Sequence, residues 1–587
     1  MPKNTISIKI GGEAGQGVES GGAGFARALV RGGLWVFGLQ DYMSRIRGGH
    51  NFYHVRVSEQ PIYSHVEDVH LLLAFNKDAV GYHLEEIVPG GGVIHDEAVK
   101  VDEAALAAGD VRNFELPLVK LAEEIGGHRI MMNTAALGAT AGLTGYNFER
   151  IEDVIENNFK RKGADVIASN IRVAKAAYDM AGDRYGADFP WKLEAIPNQS
   201  KKMLVNGNQA IGMGAIAAGC KFISTYPMTP ASTITEYIAA NARKFGIVQK
   251  ETEDELSAIL FAIGAAHAGV RAMTASSGGG FCLMVEAYGL AAMTETPLVI
   301  AEVQRGGPST GLPTRTESSD LQFVLHASHG EFPRIVTTPG TVEQCFESGY
   351  RAFNLAEKYQ TPVIILTDLF LSNQVRTVPV DSFDFKQVQI DRGSLVSNDE
   401  LDKLTSPYAR HLVTDSGISP RAFPGHEKAV YITTGDEHSE RGWITEDADV
   451  RIVQMEKRMR KEALAAREDM RLPQVWGPET ADISIVTWGS TIGAAEEAAR
   501  MLTADGLTTN VLQFVDMHPI DEDKLTEIIT GLRKMVVIEM NFTGQLAQVI
   551  RQYTGRKPDV LITKYDGRPF SPEEIVRGVR EKVVVNV

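Results

Sequence analysis

The chain is poor in cysteine, has no long basic run and no long apolar run, and each absence narrows what it does. Among 587 residues the cysteines are Cys220, Cys282 and Cys345, with no Cys-x-x-Cys spacing and no Cys/His cluster. An iron–sulfur cluster or a structural zinc takes about four protein ligands, so this chain by itself is expected to build neither. Three buried thiols in a reducing compartment is the expectation. Lys and Arg number 59 against 75 Asp and Glu, a net charge of −16, which argues against nucleic acid and anionic membrane surfaces as partners. No apolar stretch is long enough to span a bilayer. The opening residues run into a strand with no signal-peptide pattern, so a cytoplasmic protein is expected. The remaining composition, 44% hydrophobic and 23% charged, is that of a soluble globular protein. Its length predicts about three or four domains.

The patterning is α/β. In residues 1–195 a strand at 6–10 leads through a glycine-rich turn into a helical run at 21–30, and Val69-His70-Leu71-Leu72-Leu73-Ala74-Phe75 is the short apolar run of a parallel strand. Pro197-Asn198-Gln199-Ser200 reads as a linker. Residues 200–395 open with strand 203–205 and a small-residue helix at 210–219, and continue in strand–turn–helix units. Thr296-Pro297 and Thr361-Pro362 each precede an apolar run that reads as a buried parallel strand. Residues 396–478 form an irregular connector ending in a charged helix near 455–470. Residues 479–587 return to α/β, with strands at 482–490, 509–514 and 535–539.

The most constrained loop is Tyr226-Pro227-Met228-Thr229-Pro230-Ala231-Ser232. Two prolines bracket Thr229, so its backbone is stiff and its hydroxyl is aimed before any ligand arrives. A strand at 221–225 precedes it and a helix opens at Ser232, the place where α/β folds hold ligands. Downstream, Thr252-Glu253-Asp254-Glu255 heads an apolar helix and has two readings. One is a capping box in which Thr252 caps and Glu255 reaches back. The other places one carboxyl beside a close-packed apolar helix, where it can donate to or hold a ring nitrogen.

Glycine loops recur. Gly11-Gly12-Glu13-Ala14-Gly15-Gln16-Gly17 stands between a strand and a helix and suits either a tight turn or an anion site. Ser20 stands where a dinucleotide fingerprint needs its third glycine, and no Walker Lys-Ser/Thr follows. The basic loop Ser44-Arg45-Ile46-Arg47-Gly48-Gly49-His50-Asn51 tips the reading toward a polyphosphate or a coenzyme A tail, since arginines grip phosphate well. Ser276-Ser277-Gly278-Gly279-Gly280 is another strand-to-helix loop. Residues 303–315 form a glycine/proline loop holding Arg305 and Arg315, each either a surface arginine or a grip for a substrate carboxylate. His518 before Pro519 is read as structural.

Taken together these loops resemble the α subunit of the 2-oxoacid:ferredoxin oxidoreductases, in the form whose γ domain is fused at the N-terminus, and most nearly the 2-oxoglutarate branch. The resemblance covers essentially the whole chain, and departs from the usual Tyr-Pro-Ile-Thr-Pro-Ser-Ser at Met228 and Ala231. It implies a Rossmann-like γ-type domain (1–195), a thiamine diphosphate pyrimidine-type domain (200–395), the connector (396–478) and a transketolase C-terminal-like domain (479–587). The last carries Thr487-Trp488-Gly489-Ser490 and Glu539-Met540-Asn541-Phe542-Thr543-Gly544-Gln545.

The resemblance also assigns roles. Glu255 matches the glutamate that hydrogen-bonds the thiamine pyrimidine, with Ser277 and Gly278 beside it. Thr229 and Arg305 match the residues that hold the 2-oxoacid carboxylate, with Tyr226 and Pro227 in the same loop and Arg315 a further candidate. Gly12, Glu13, Gly15, Gln16, Gly17, Arg45 and Arg47 become the coenzyme A contacts. The implied reaction is oxidative decarboxylation of a 2-oxoacid to an acyl-CoA, with electrons passed to ferredoxin. No Gly-Asp-Gly motif and no cluster cysteines are present. The magnesium, the 4Fe-4S cluster and the diphosphate half of the cofactor site are therefore expected from a β subunit in an α₂β₂ heterotetramer, and this chain alone is expected to be inactive, with no metal of its own. Alternatives are pyruvate or a broad range of 2-oxoacids as substrate, a non-catalytic coenzyme A- or nucleotide-binding scaffold, and a ferredoxin-independent transketolase-type transferase.

Overall fold

Apolar strands alternating with helices build three sheets among the described residues, 3–45, 48–197 and 200–584 of the computed structural model. Arg47, and Asn198 and Gln199 of the linker, lie outside the described residues. The chain divides into two compact units, one of Met1–Asn206, Asn373–Ser382 and Ser571–Glu573, the other of Gly207–Ser372, Phe383–Phe570 and Glu574–Val587. None of the helices in the described residues is long and apolar enough to cross a membrane.

The first unit is built on β1 (Ile6–Ala14), β2 (Trp35–Asp41), β3 (Gly48–Ser58), β4 (Val69–Ala74), β5 (Ile87–Asp96), β6 (Arg112–Leu116), β7 (Lys202–Val205) and β14 (Gln374–Pro379), in the order β6-β5-β4-β1-β3-β2-β14-β7. The β6 to β1 side is parallel, and the remaining pairs are antiparallel. Ile6, Ile8 and Ile10 of β1 enter a core shared with helices Val18–Arg31, Met132–Thr144 and Ala164–Tyr185. The last two helices cross at backbone contact. A Cβ on Gly138 or Gly142 would come within 2.0 or 2.1 Å of the carbonyl oxygens of Ala174 and Tyr178, so both positions require glycine.

Two local expectations are corrected in this unit. The glycine turn after Ile10 begins later, because Gly11 to Ala14 continue β1 and pair with β3. The basic loop is shorter than expected, because Gly48 to Asn51 open β3. In both places ladder hydrogen bonds outweigh glycine's weak strand preference. The sheet also takes β7 and β14 from beyond residue 195, which a local reading of 374–379 does not reveal.

The second unit holds two sheets. The larger consists of β8 (Phe222–Thr225), β9 (Val248–Glu251), β10 (Ala272–Ser276), β11 (Leu298–Gln304), β12 (Ile335–Thr337), β13 (Pro362–Asp368) and β18 (Asp516–His518), in the order β18-β12-β13-β11-β10-β8-β9. All of its pairs are parallel except β12 with β18. The smaller has β15 (Gln474–Trp476), β16 (Ile483–Trp488), β17 (Thr509–Phe514), β19 (Met535–Glu539) and β20 (Val560–Thr563), in the order β15-β17-β16-β19-β20. One apolar core joins them, from Ile259 and Phe281 to Trp488 and Val537. Cys220 and Cys345 are buried as expected, but Cys282 is exposed. Its helix, Gly278–Met293, is apolar nearly all round, so the pattern does not mark which side faces solvent.

An ion network ties β18 to neighbouring helices. Asp516 accepts two hydrogen bonds from Arg351, at 3.0 Å each, and the backbone N–H of Arg471 at 2.8 Å. Burial opposes ionisation of Asp516, but Arg351 and Arg471 outweigh it and hold its pKa below the ordinary 3.8. A carboxyl whose pKa is depressed in the folded state stabilises fully above its unfolded pKa, and that contribution is lost as pH falls through the folded value. Asp516→Asn is therefore expected to lower unfolding free energy by about 3 kcal/mol at neutral pH. The gap to wild type should close in strongly acidic urea titrations; a pH-independent gap contradicts the assignment.

Candidate active site

Four neighbouring strands of the larger sheet, β11-β10-β8-β9, send their carboxyl ends toward the residues singled out above. The loop after β8 carries Tyr226 to Pro230, the turn after β9 starts helix Glu255–His267, the turn after β10 carries Ser277 and Gly278, and Arg305 follows β11.

Glu255 is 3% exposed, and among the described residues its buried Oε1 has no hydrogen-bond partner. The capping box expected as one reading does not form. Asp254 is the N-cap, accepting from the Ser257 N–H at 2.6 Å, while the Thr252 hydroxyl donates to the Asp254 carbonyl at 2.9 Å. Aspartate caps at least as well as threonine, and moving the cap from Thr252 to Asp254 leaves Glu255 at the helix's first position with no capping task. A Cβ on Gly280 would lie 2.1 Å from Ser276 Oγ and 2.7 Å from Glu255 Oε1. Glycine is what lets these two groups converge. Ser277 precedes helix Gly278–Met293, yet its buried hydroxyl makes no capping bond and has no partner among the described residues.

The Tyr226–Pro230 stretch is pinned from three sides. The Asn208 amide donates to the Pro230 carbonyl at 2.9 Å, the Ser276 hydroxyl donates to Met228 Sδ at 3.7 Å, and Arg305 Nη1 donates to the Thr229 carbonyl at 2.8 Å. Thr229 and Arg305 are thus brought together, with Thr229 half-buried and Tyr226 and Pro227 exposed. Burial pulls the Arg305 pKa below its ordinary value, and among the described residues no acid is paired with it. A half-buried guanidinium in that state favours an incoming anion. Arg315 sits further along the same loop, its carbonyl accepting from the Gly306 N–H at 3.1 Å and its Cβ and Cγ against Gly567.

In the first unit Gly12 and Glu13 belong to β1, and Gly15, Gln16 and Gly17 make the turn, with φ of 91° and 83° at the two glycines. Gln16 closes the turn on itself, its Oε1 accepting from the Glu13 N–H at 2.7 Å. Helix Val18–Arg31 then starts at Gly17 with no side-chain cap, so first-turn N–H groups remain available to an anion. Arg45 is exposed.

The donor set fits thiamine diphosphate on one count: an orphaned buried carboxyl oxygen, an orphaned buried hydroxyl and a glycine kept free of Cβ meet at adjacent strand ends. Sequence reasoning missed Ser276, Gly280, Asp254 and Asn208. Asp254 was legible as an alternative cap; the convergence on Gly280 is a tertiary fact with no local signal.

Comparison with known proteins is consistent across the whole length. Family models described as "Pyruvate ferredoxin/flavodoxin oxidoreductase", "Pyruvate flavodoxin/ferredoxin oxidoreductase, thiamine diP-bdg" and "Pyruvate:ferredoxin oxidoreductase core domain II" match residues 7–180, 213–457 and 481–575. The 2-oxoacid:ferredoxin oxidoreductase subunit alpha of Saccharolobus solfataricus is 32% identical over 98% of this chain and 98% of its own. The 2-oxoglutarate synthase subunit KorA of Methanothermobacter marburgensis is 32% identical over 65% of this chain and 99% of its own. The solved 2-oxoglutarate:ferredoxin oxidoreductase from Magnetococcus marinus, with 2-oxoglutarate, coenzyme A and succinyl-CoA bound, superposes with a TM-score of 0.91 at 34% identity, covering 99% of this chain and 100% of that one. With a full-length relative above 30% identity, the chain belongs to the α subunits of the 2-oxoacid:ferredoxin oxidoreductase family.

Proposed function

We propose that this chain is the α subunit of a 2-oxoglutarate:ferredoxin oxidoreductase that turns 2-oxoglutarate and coenzyme A into succinyl-CoA and CO₂ while reducing ferredoxin. The observation that carries it is Glu255, a buried carboxyl freed from capping by Asp254 and left with an unpartnered oxygen beside Ser276 and Gly280. Bound thiamine diphosphate supplies the carbanion chemistry. Glu255 holds its pyrimidine ring, Ser277 and Gly278 line that ring, and Thr229 and Arg305 orient the 2-oxoacid carboxylate, with Tyr226 and Pro227 at the mouth and Arg315 toward the distal carboxylate. Gly12, Glu13, Gly15, Gln16, Gly17, Arg45 and Arg47 take coenzyme A. A scaffold that merely bound a nucleotide would leave Glu255 as a cap, and Asp254 fills that place.

A β subunit completes the enzyme as α₂β₂, bringing magnesium, the 4Fe-4S cluster and the ferredoxin contact. Two features support this. The chain lacks Gly-Asp-Gly and cluster cysteines. The helices that begin at Glu255 and Gly278 also leave Leu256, Leu260, Phe261 and Leu283 exposed, each by 41% or more, an apolar surface suited to another chain.

Steady-state rates of the assembled complex on 2-oxoglutarate and pyruvate test the substrate, and a preference for pyruvate overturns it. Arg305→Ala is expected to raise KM for the 2-oxoacid by about tenfold to a hundredfold, the worth of a charge-assisted hydrogen bond. An unchanged KM removes Arg305 from the pocket.

A further inference from the structure

Tyr82 stands at the surface of the first unit, 64% exposed, yet its ring is seated. It stacks on the His50 imidazole, with centroids 4.7 Å apart and planes 30° from parallel. His50 is fixed from behind. Its Nε2 lies 2.7 Å from His83 Nε2, and His83 Nδ1 lies 2.9 Å from Glu86 Oε2. Lys9 donates to the same Glu86 oxygen at 2.5 Å. A carboxylate only accepts, so His83 donates to it through Nδ1, and the two Nε2 atoms share one proton. Phe52 closes the set, with the His83 ring edge-on at 5.2 Å and the Lys9 ammonium 4.7 Å from its centroid. Burial first, then His83 and Lys9, pull the His50 pKa down to about 4, so the ring under Tyr82 is uncharged at neutral pH. Holding an exposed ring in one place loses rotamer freedom without burying the ring. A second flat group on the open face offsets that loss.

The surface beside this stack leads to the turn at residues 15–17. Glu13, whose carbonyl accepts from the Gln16 N–H at 3.1 Å, pairs with His50 across the strand ladder, so the two side chains share a face of the sheet. Helix Lys77–His83, which carries Tyr82, is capped by Asn76, and the Asn76 amide donates to Gln16 Oε1 at 3.5 Å. From Asn76 to Tyr82 the helix climbs about 9 Å, close to the span of an adenosine from its base to its phosphates. At the near end, helix Val18–Arg31 begins without a side-chain cap, which suits phosphate. At the far end is a bare aromatic face, which suits a base. A Cβ on Gly15 or Gly81 would meet no atom of the described residues within 4 Å, so both ends are open.

We propose that Tyr82 is the adenine platform for coenzyme A, the ring on which the base stacks while the turn at residues 15–17 takes the phosphates. His50 is its positioning residue, held flat beneath it through His83, Glu86 and Lys9. The contact is with the nucleotide end of the coenzyme and not with its thiol, so it sets affinity and leaves the chemical step alone. This inference rests on the placing of coenzyme A in the first unit.

Kinetics of the assembled complex test it. Tyr82→Ala removes an exposed ring and should fold as wild type does. It should raise KM for coenzyme A by about tenfold, the worth of one base on one aromatic ring, with kcat at saturation unchanged. Tyr82→Phe keeps the ring and should keep the wild-type KM. ADP, which has the base and the diphosphate but no thiol arm, should compete with coenzyme A about tenfold more weakly in Tyr82→Ala. Pantetheine, an acyl acceptor without the nucleotide, should show one KM in wild type and Tyr82→Ala alike. His50→Leu should raise KM for coenzyme A in the wild-type background and not in Tyr82→Ala, because it acts through that ring. An unchanged KM for coenzyme A in Tyr82→Ala, an equal rise for pantetheine, or a His50→Leu effect of the same size in both backgrounds overturns the proposal. Failure of the coenzyme A placing looks different: Arg45→Ala then leaves KM for coenzyme A unchanged as well. A rise in Arg45→Ala with none in Tyr82→Ala keeps the placing and removes the platform.

Discussion

Glu255→Gln is expected to lower turnover of the assembled complex by about two to four orders of magnitude while leaving its unfolding midpoint in urea unchanged. The two halves of that expectation come from separate observations. Helix Glu255–His267 is capped by Asp254, so neutralising the neighbouring residue removes no cap. Glutamine also keeps the side-chain volume next to Gly280, where the approach to Ser276 is close. What it removes is a proton-carrying group, and the buried Oε1 has no other partner among the described residues. Ferredoxin reduction by the variant complex reads the first half. Near-wild-type turnover would return Glu255 to a structural role and revive the scaffold alternative.

The second large effect is on stability. Glu295, fully buried and in a left-handed conformation with φ of 51°, is bonded to Lys457 at 2.5 Å, to Lys461, and to His411 Nδ1 at 2.9 Å. Burial opposes its ionisation, but Lys461, Lys457 and His411 outweigh burial and hold its pKa well below the ordinary range. The Arg410 guanidinium grips the Glu295 carbonyl at 2.7 Å. Glu295→Gln leaves two buried ammonium groups without a counter-charge, a change that costs about 3–5 kcal/mol, and should lower the urea midpoint accordingly. Adding Lys461→Met should recover part of the loss, since removing one stranded charge relieves part of the penalty. A double variant no better than the single one would mean that the lysines are not the source of the cost.

The legible parts of this chain were those whose signal is local. Met535–Glu539 is apolar up to its closing acid and Thr509–Phe514 centres on Val511 and Leu512, and both are strands as read. The helix expected to open at Ser232 does so. Lys457 and Lys461 show the limit. They lie on the charged helix Ala448–Glu468, where such residues read as a solvated face, and both are buried because their partner Glu295 is distant in sequence. Glu302 was visible as a lone acid in an apolar run, but periodicity alone cannot separate a core strand from one that carries a titratable group. At the candidate site, the residue types at strand ends were readable; Gly280 as the meeting point of Ser276 and Glu255 depends on how β10 and its neighbours pack.

The place of β14 in the first sheet has a consequence for synthesis. β2 bonds to β3 on one side and to β14 on the other, and among the described residues β7 pairs with β14 alone. On the ribosome, β7 emerges with no partner, and Trp35, Val36 and Phe37 stay on an open edge until residues 374–379 follow. The intervening chain, Gly207–Ser372, takes of order ten to thirty seconds to translate at about 5–20 residues per second. For that interval the nascent sheet exposes a strand edge of the kind that recruits other chains, and the second unit is made before the first is closed.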